Sequence, residues 1–491
     1  MNFLSTLTFV VSIVTILTTV PAHGVFANTK VYQATGIKIG EVTPTSVIVW
    51  TRLTRHERPN PAEGPKVKIK YLDNKFNRAS RKGKVEAVVF PKGVGVDGLR
   101  NAVPGTTGET RVRYRAVESS SWTETDWAAV DVNKDFTHQF QLTALKPGTH
   151  YELIVQGRAD GDDEKIHELA GRFATAPLPD QPSRVRFMVS TGQKHGEQES
   201  EDGFKLYRSM LKLKPSFFVH TGDMVYYDQI GKTLPLARYH WQRTYGLPSV
   251  VDFHRQVPSY FEKDDHDTWV NDCWPTMRSD YMHEFTFAQG QAVFLEQMPM
   301  GPKTYRTFRW GKDLQIWLVE GRDYRSPNNA PDGPAKTIWG ESQKKWFMET
   351  MKASDATFRV LISPTPIVGP DRSKKNDNHS NAGFQHEGRE LRAFLASQKN
   401  VAVVCGDRHW QYLSADPKTG LREYSCGPAT NKHAGGWSQE DYVEQYHRFL
   451  RVKGGFLAVT VDRVEGQPTL TAKFHGVAGK VQFEDTMVGE Q

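Results

Sequence analysis

The stretch Ser216-Phe-Phe-Val-His-Thr-Gly-Asp-Met-Val-Tyr-Tyr-Asp228 carries an apolar run that halts at Gly222 and delivers Asp223, with Tyr226, Tyr227 and Asp228 close behind. A short apolar run closed by Gly-Asp reads as a buried strand ending in a turn. In open α/β sheets the carboxyl ends of such strands are where ligands sit. Three later stretches repeat the design. Val257-Pro-Ser-Tyr-Phe261 leads into Glu262-Lys-Asp264-Asp265-His266-Asp267, and Leu314-Gln-Ile-Trp-Leu-Val319 leads into Glu320-Gly-Arg322-Asp323. Val401-Ala-Val-Val-Cys405 leads into Gly406-Asp407-Arg408-His409. Four strands handing Asp, His and Arg to one sheet edge form the layout of a site for a hard cation and a phosphate.

Around these strands the chain alternates. Amphipathic helical patterns fall at 203–213, 234–245, 281–297, 340–353 and 387–398, interleaved with strands at 304–310, 313–319, 358–363 and 401–405. That alternation predicts a layered α/β domain with helices outside. The tail, 455–462 and 468–475, returns to strand and is expected to complete a second sheet. The region before residue 178 has a different rhythm, with period-two strands at 36–53, 67–71 and 137–142. Leu145-Lys-Pro-Gly-Thr-His-Tyr151 before an alternating strand resembles the tyrosine corner of fibronectin type III domains, whose hydroxyl bonds back to the backbone. The segment 94–127, rich in Gly, Ser and Thr, reads as a loop-like insert, and Ala176-Pro-Leu-Pro-Asp-Gln-Pro182 as a linker.

Composition bounds the rest. At 491 residues the chain exceeds one ordinary core, so two or three domains are expected. Its 26 Phe, 17 Tyr and 12 Trp exclude a disordered chain. Lys and Arg exceed Asp and Glu by 7, without a basic block or basic-aromatic stripe, which argues against nucleic acid as the main partner. Three cysteines make no disulfide framework, and Cys405 and Cys426 are expected as small buried hydrophobes. Phe3 to Val20 carry no charge and lead to Val25 and Ala27, small residues placed as before a cleavage point. Those 18 residues are long enough for a retained anchor. Their seven Ser/Thr and the small-residue exit favour a cleaved signal over 1–27 and export to the periplasm, the cell surface or the medium, with no stable membrane span afterwards. The leader lacks Lys and Arg, so the amino terminus is its only positive charge.

Singly, each motif has a plain structural reading: a helix cap, a solvated acidic turn, a buried ion pair. Together they converge carboxylates that would raise one another's pKa, a penalty that a multivalent cation removes. Asp and Tyr oxygens with His nitrogens suit iron, calcium, manganese or zinc rather than a thiolate site.

Gly-Asp223-x-x-Tyr226, Asp-Asp265-His266-Asp267, an Arg after the next strand and Gly-Asp407-x-His409, in this order, resemble the calcineurin-like metallophosphatases, and within them the alkaline phosphatase D family. The resemblance covers nearly the whole chain after the leader. It implies a multidomain α/β protein, with a fibronectin type III-like β-sandwich over 30–178 and a catalytic domain over 183–480 built of two sheets flanked by helices. It implies two or more metal ions. Asp223 would be the central, bridging carboxylate, Tyr226 a phenolate ligand, and Asp407 with His409 the closing pair. Asp265 takes the place of a bridging Asn. His266 would protonate the leaving oxygen or contact the phosphate, and Arg322 would clamp phosphate oxygens, a role suited to its planar fork. Gln193, Asp267, Asn271, Glu320 and His379 are further candidates for the site. The implied reaction is hydrolysis of a phosphate mono- or diester by in-line attack of a metal-bound water.

The chain departs from that pattern at several places. Thr191-Gly192-Gln193 ends the first strand where the family carries Ser-Cys-Gln, Glu320 replaces an Asp, and the segment 363–371 lacks a His. Asn376-Asp-Asn-His379 and Lys432-His433 are candidates for replacement ligands or substrate contacts, against the plainer reading of flexible polar loops. The missing thiol motivates an alternative, a catalytically inactive secreted binding protein on the same fold. Substrate and oligomeric state are not encoded in any of these motifs.

Overall fold

The structure, a computed structural model, describes residues 30–71, 85–372 and 374–490. The expected leader lies outside the described residues. Among the described residues no helix is long and apolar enough to cross a membrane.

Two large sheets pack face to face. At the centre of the first, Val185–Ser190, Phe217–Thr221 and Ser259–Glu262 run parallel, so their carboxyl ends share one side. The second is built on parallel Leu314–Leu318, Phe358–Ser363, Val401–Cys405 and Arg422–Cys426. Phe217 and Val219 enter the core between the sheets while Phe218 faces the helices, the two-residue period of a pleated strand. Val360 and Ile362 likewise face inward and Leu361 outward. Strands buried on both faces read as mostly apolar runs, which is why these are visible in the sequence despite His220 and Arg359.

Helices cover both outer faces. Lys205–Lys212, Leu234–Tyr245, Pro248–His254 and Phe287–Gln297 lie on the first sheet through residues such as Leu206, Trp241, Phe253 and Phe294. Gly340–Ala353 and Gln385–Ala396 cover the second through Phe347, Met351, Leu391 and Leu395. Thr286 and Gln289 form a reciprocal capping box that starts Phe287–Gln297, well after the predicted start at 281.

The amino-terminal strands Ile37–Gly40, Val47–Arg52 and Thr137–Leu142 continue the first sheet through a parallel bridge from Gly40 to Ser259. A second layer, His167–Ala174, His150–Arg158 and Glu109–Ala116, packs its Val112, Leu153, Val155 and Phe173 into the same core, which completes the β-sandwich. The tyrosine corner is present: the Tyr151 hydroxyl accepts the Lys146 amide at 2.8 Å.

Two expectations are corrected. The segment 94–127 is not a loop-like excursion, because it contains the eight-residue strand Glu109–Ala116. That strand hides its alternation behind Arg111, Arg113 and Arg115, whose guanidinium groups lie over Trp122 and Trp127 on the outer face. The tail does not complete the second sheet. Gly455–Val464 pairs with Val185–Ser190 and carries Gln467–Gly476 on the first sheet. Gln411–Ala415 and His447–Arg451 fill the second sheet's edge instead. All three cysteines are buried and free, in keeping with a packing role.

Candidate metal centre

The carboxyl ends of the two sheets meet. A Cβ on Gly406 would lie 2.4 Å from Thr221 Oγ1, so only glycine lets these strand ends approach. The Asp407 amide then donates to Thr191 Oγ1 at 3.3 Å. Asp223 and Asp407, each following a glycine, both adopt left-handed backbone with φ of 59°. Asp tolerates that region better than most residues, and the turn lifts each carboxylate off its strand end.

Asp223, Asp265 and His266 are buried and bring one ligand atom each within 4.8 Å of one another. Tyr226 donates its hydroxyl to Asp223 Oδ2 at 3.1 Å, and His409 Nε2 stands 3.8 Å from the same oxygen. Among the described residues, Asp223 Oδ1 and His409 Nε2 are buried without a hydrogen-bond partner. Burial raises the Asp223 pKa well above its ordinary value; His266 opposes this, and Asp265, Asp264 and Asp267 add to it. Orphaned oxygen and nitrogen donors among crowded carboxylates are the donor set that a multivalent cation satisfies, so these residues fit a metal ion.

Around this core stand the groups that could handle an anion and a proton. Arg322 is fully buried, its Nε bonded to Asp264 at 2.6 Å and its Nη2 3.9 Å from Asp265. Its Nη1 and Nη2 have no hydrogen-bond partner. His266 Nδ1 meets Asp228 Oδ2 at 2.5 Å. Burial alone would lower the His266 pKa, but the Asp228, Asp265 and Asp223 carboxylates outweigh it and hold the imidazole well above its ordinary value.

Not every candidate from the sequence joins this group. Gln193 is close, its amide donating to the Asp223 carbonyl at 2.8 Å, but its side-chain oxygen accepts the Tyr207 hydroxyl. Asp407 reaches the edge with its Oδ2 in an ion pair with Arg408 at 2.5 Å. Asp267 is a cap, accepting the Asp264 amide at 2.6 Å and the Met224 amide at 3.1 Å. Asn271 is exposed and contributes its backbone amide to Asp228. Glu320 is neutralised by Lys263 at 2.6 Å, and His379 pairs with Glu387 at 2.9 Å. The segment Asn376 to His379 is a loop, as the plainer reading has it, but three of its residues, Asp377, Asn378 and His379, are fully buried.

Further residues complete the arrangement, among them His433, which the sequence offered as a candidate replacement ligand. Asp228 and Asp264 lie in quoted stretches, so their position after a strand end was the available signal. His433 meets the Tyr226 hydroxyl at 2.6 Å, and Glu197 meets His433 at 2.8 Å across 236 positions of sequence. His433 was a candidate from the sequence, whereas no local pattern announces Glu197.

The PhoD-like phosphatase family model matches residues 187–453, more than half of the chain and every strand end described above. The structure titled "Structure of PhoD" superposes with a TM-score of 0.70 at 16% identity, covering 94% of this chain and 91% of that one. A purple acid phosphatase, PPD1 from yellow lupin (Lupinus luteus) seeds, superposes with a TM-score of 0.60 at 12% identity, covering 92% and 74%. At such identities the likeness is one of fold. No curated protein matches the sequence significantly. With the family model spanning the central parallel strands of both sheets and the strand ends that carry Asp223, Asp265, Arg322 and Asp407, the chain belongs to the PhoD-like phosphatases.

Proposed function

We propose that this phosphatase is an exported, metal-dependent hydrolase of phosphate mono- or diesters. Asp223, Tyr226, Asp265, Asp407 and His409 are its metal ligands, and Arg322 and His266 its catalytic side chains. The observation that carries the reading is the convergence of buried Asp223, Asp265 and His266, with Asp223 Oδ1 and His409 Nε2 left unpartnered. Bound cations would supply Lewis-acid polarisation of the phosphoryl oxygens and a source of nucleophile at neutral pH.

The chain's own groups do the rest. Arg322 is anchored through Nε, which leaves Nη1 and Nη2 to take phosphate oxygens and stabilise the charge that builds on them. Asp228 holds His266 through Nδ1, so Nε2 is the atom that would carry a proton to the substrate, and the Asp228 carboxylate favours the protonated ring. Its role is proton donation to the departing alkoxide. The Gly406 approach brings Asp407 to the sheet edge beside Thr221, where its carboxylate, paired here with Arg408, would be available to a cation. Export rests on the uncharged stretch from Phe3 to Val20 and the small residues that follow it.

The chain from residue 28 is purified and its metals measured by elemental analysis. It is then assayed on p-nitrophenyl phosphate and on the bis ester, before and after chelation. The expected result is stoichiometric metal, turnover of at least one ester, loss on chelation and recovery with one cation. A metal-free chain that stays inactive with iron, calcium, zinc and manganese overturns the reading and leaves the inactive binding protein.

A further inference from the structure

The first strand ends in Thr191-Gly192-Gln193, with glycine at the place where the family resemblance leads to a cysteine. Gly192 holds φ at +53°, and a Cβ built on it would lie 3.2 Å from Cδ2 and 3.5 Å from Nε2 of His433. A side chain at 192 and the imidazole of His433 therefore compete for one volume. In this chain the imidazole has it.

His433 is held as a ligand is held. Its side chain is only 8% exposed, and its Nδ1 meets the Glu197 carboxylate at 2.8 Å. A carboxylate on one ring nitrogen fixes the tautomer and aims the other, the arrangement found behind most metal-binding histidines. The aimed atom, Nε2, stands 2.6 Å from the Tyr226 hydroxyl, which in turn bonds Asp223 Oδ2 at 3.1 Å. The His433 ring centroid lies 4.1 Å from that of His409, whose buried Nε2 has no partner and sits 3.8 Å from Asp223. Donor atoms around a small cation at about 2.0–2.2 Å are themselves about 3–4 Å apart. The Tyr226–Asp223 and His409–Asp223 separations of 3.1 and 3.8 Å fall in that range, and the 2.6 Å hydrogen bond between His433 and Tyr226 would open slightly to reach it.

Building on the metallophosphatase reading above, we propose that His433 is a metal ligand that takes the place of the absent first-strand thiolate, with Glu197 as its positioning residue. Nε2 of His433 joins Asp223, Tyr226 and His409 in a set of two oxygens and two nitrogens. Exchanging a thiolate for an imidazole removes one negative charge and the softest donor, so the site favours borderline ions held by nitrogen and oxygen.

Cobalt(II), whose visible spectrum reports donor type, is the probe, titrated into the metal-free protein. His433→Ala is expected to lower cobalt affinity by about 100-fold or more and to alter the visible bands, while circular dichroism stays native. Glu197→Gln, which leaves the ring in place, is expected to lower affinity by about tenfold. Gly192→Cys in the His433→Ala background is expected to recover cobalt binding with a new thiolate charge-transfer band. If the parent protein binds cobalt, His409→Ala weakens it, and both His433→Ala and Glu197→Gln leave affinity and spectrum unchanged, His433 is not a ligand and the phosphatase reading stands. If the parent holds iron, calcium, zinc or manganese but takes up no cobalt, this proposal falls alone; if it holds none of them, the phosphatase reading falls with it.

Discussion

Two buried charge clusters sit side by side on the same strand ends, and they are built oppositely. In one, Lys263 bonds Glu320 at 2.6 Å and Asp323 at 2.5 Å; Glu320 also accepts the Arg322 amide at 2.8 Å, and Asp323 accepts from Gln291 at 2.7 Å. Every charged oxygen there has a protein partner. In the other, Asp223, Asp265, His266 and His409 crowd together with Asp223 Oδ1 and His409 Nε2 unpartnered. A buried charge must be paired or coordinate a metal. The first cluster is closed by the chain's own lysine and can only hold the fold. The second is open, its unpartnered oxygen and nitrogen being donors that a cation would satisfy. Glu320 looked like a site residue because it follows a strand, but its partner decides its role.

The sharpest way to break this comparison is to remove the central carboxylate of the open cluster. Asp223→Ala is expected to abolish metal binding and to cut kcat/KM by about a thousandfold or more, while raising the thermal stability of the metal-free protein by relieving its neighbours. Elemental analysis beside calorimetry checks both halves. A variant that keeps its metal would show that the cluster is not organised around Asp223.

Lys263→Met attacks the closed cluster and should do the reverse. Glu320 and Asp323 would be left buried without their cation, at a cost of about 3–5 kcal/mol of stability, with metal per folded chain unchanged. Urea unfolding with metal analysis of the folded fraction tests it. Loss of metal without loss of stability would mean that the two clusters are not separate.

A smaller effect is expected at Asp228→Asn, which removes the charge that positions His266 and raises its pKa. Turnover of an alkyl phosphate should fall about tenfold, while p-nitrophenyl phosphate, whose leaving group needs no proton, should change little. Equal losses on both would remove His266 from proton transfer.

The smallest expected effect is a pH dependence of the metal-free protein. Burial pushes the Asp267 carboxyl up to about 7 and the Asp407 carboxyl up to about 6. Both folded-state values exceed the ordinary carboxyl pKa, so the folded chain binds more protons than the unfolded chain between about pH 4 and 7. Stability should therefore fall as pH rises through that window, and added cation should flatten the slope. Thermal melts at pH 5 and pH 7.5, with and without cation, measure it. A flat metal-free profile would contradict the crowding that makes this cluster open.

Much of this was legible before any coordinates. The runs 217–221, 358–363 and 401–405 are strands whose residues are mostly apolar and buried on both faces, with only His220, Thr221, Arg359 and Ser363 polar. Gly222-Asp223 and Gly406-Asp407 announced strand-end turns because glycine and aspartate serve such turns at low cost. Glu109–Ala116 was hidden because arginines, whose stems pack on tryptophan, stand where a more apolar pattern would have marked a strand.

By itself, then, the sequence determined which strands end in which donors, since hydrophobic runs and turn residues are properties of a few neighbouring positions. Only the tertiary structure decided which donors are spent and which are free. Asp267 is consumed as a cap, Glu320 by Lys263 and His379 by Glu387, whereas Asp223 and His409 keep unpartnered atoms. Only the fold, too, could set His433 against Gly192 and behind it Glu197, because that contact forms when two separate sheets bring their edges together. Burial and pairing are set by what lies across the interface, and no local pattern carries that information.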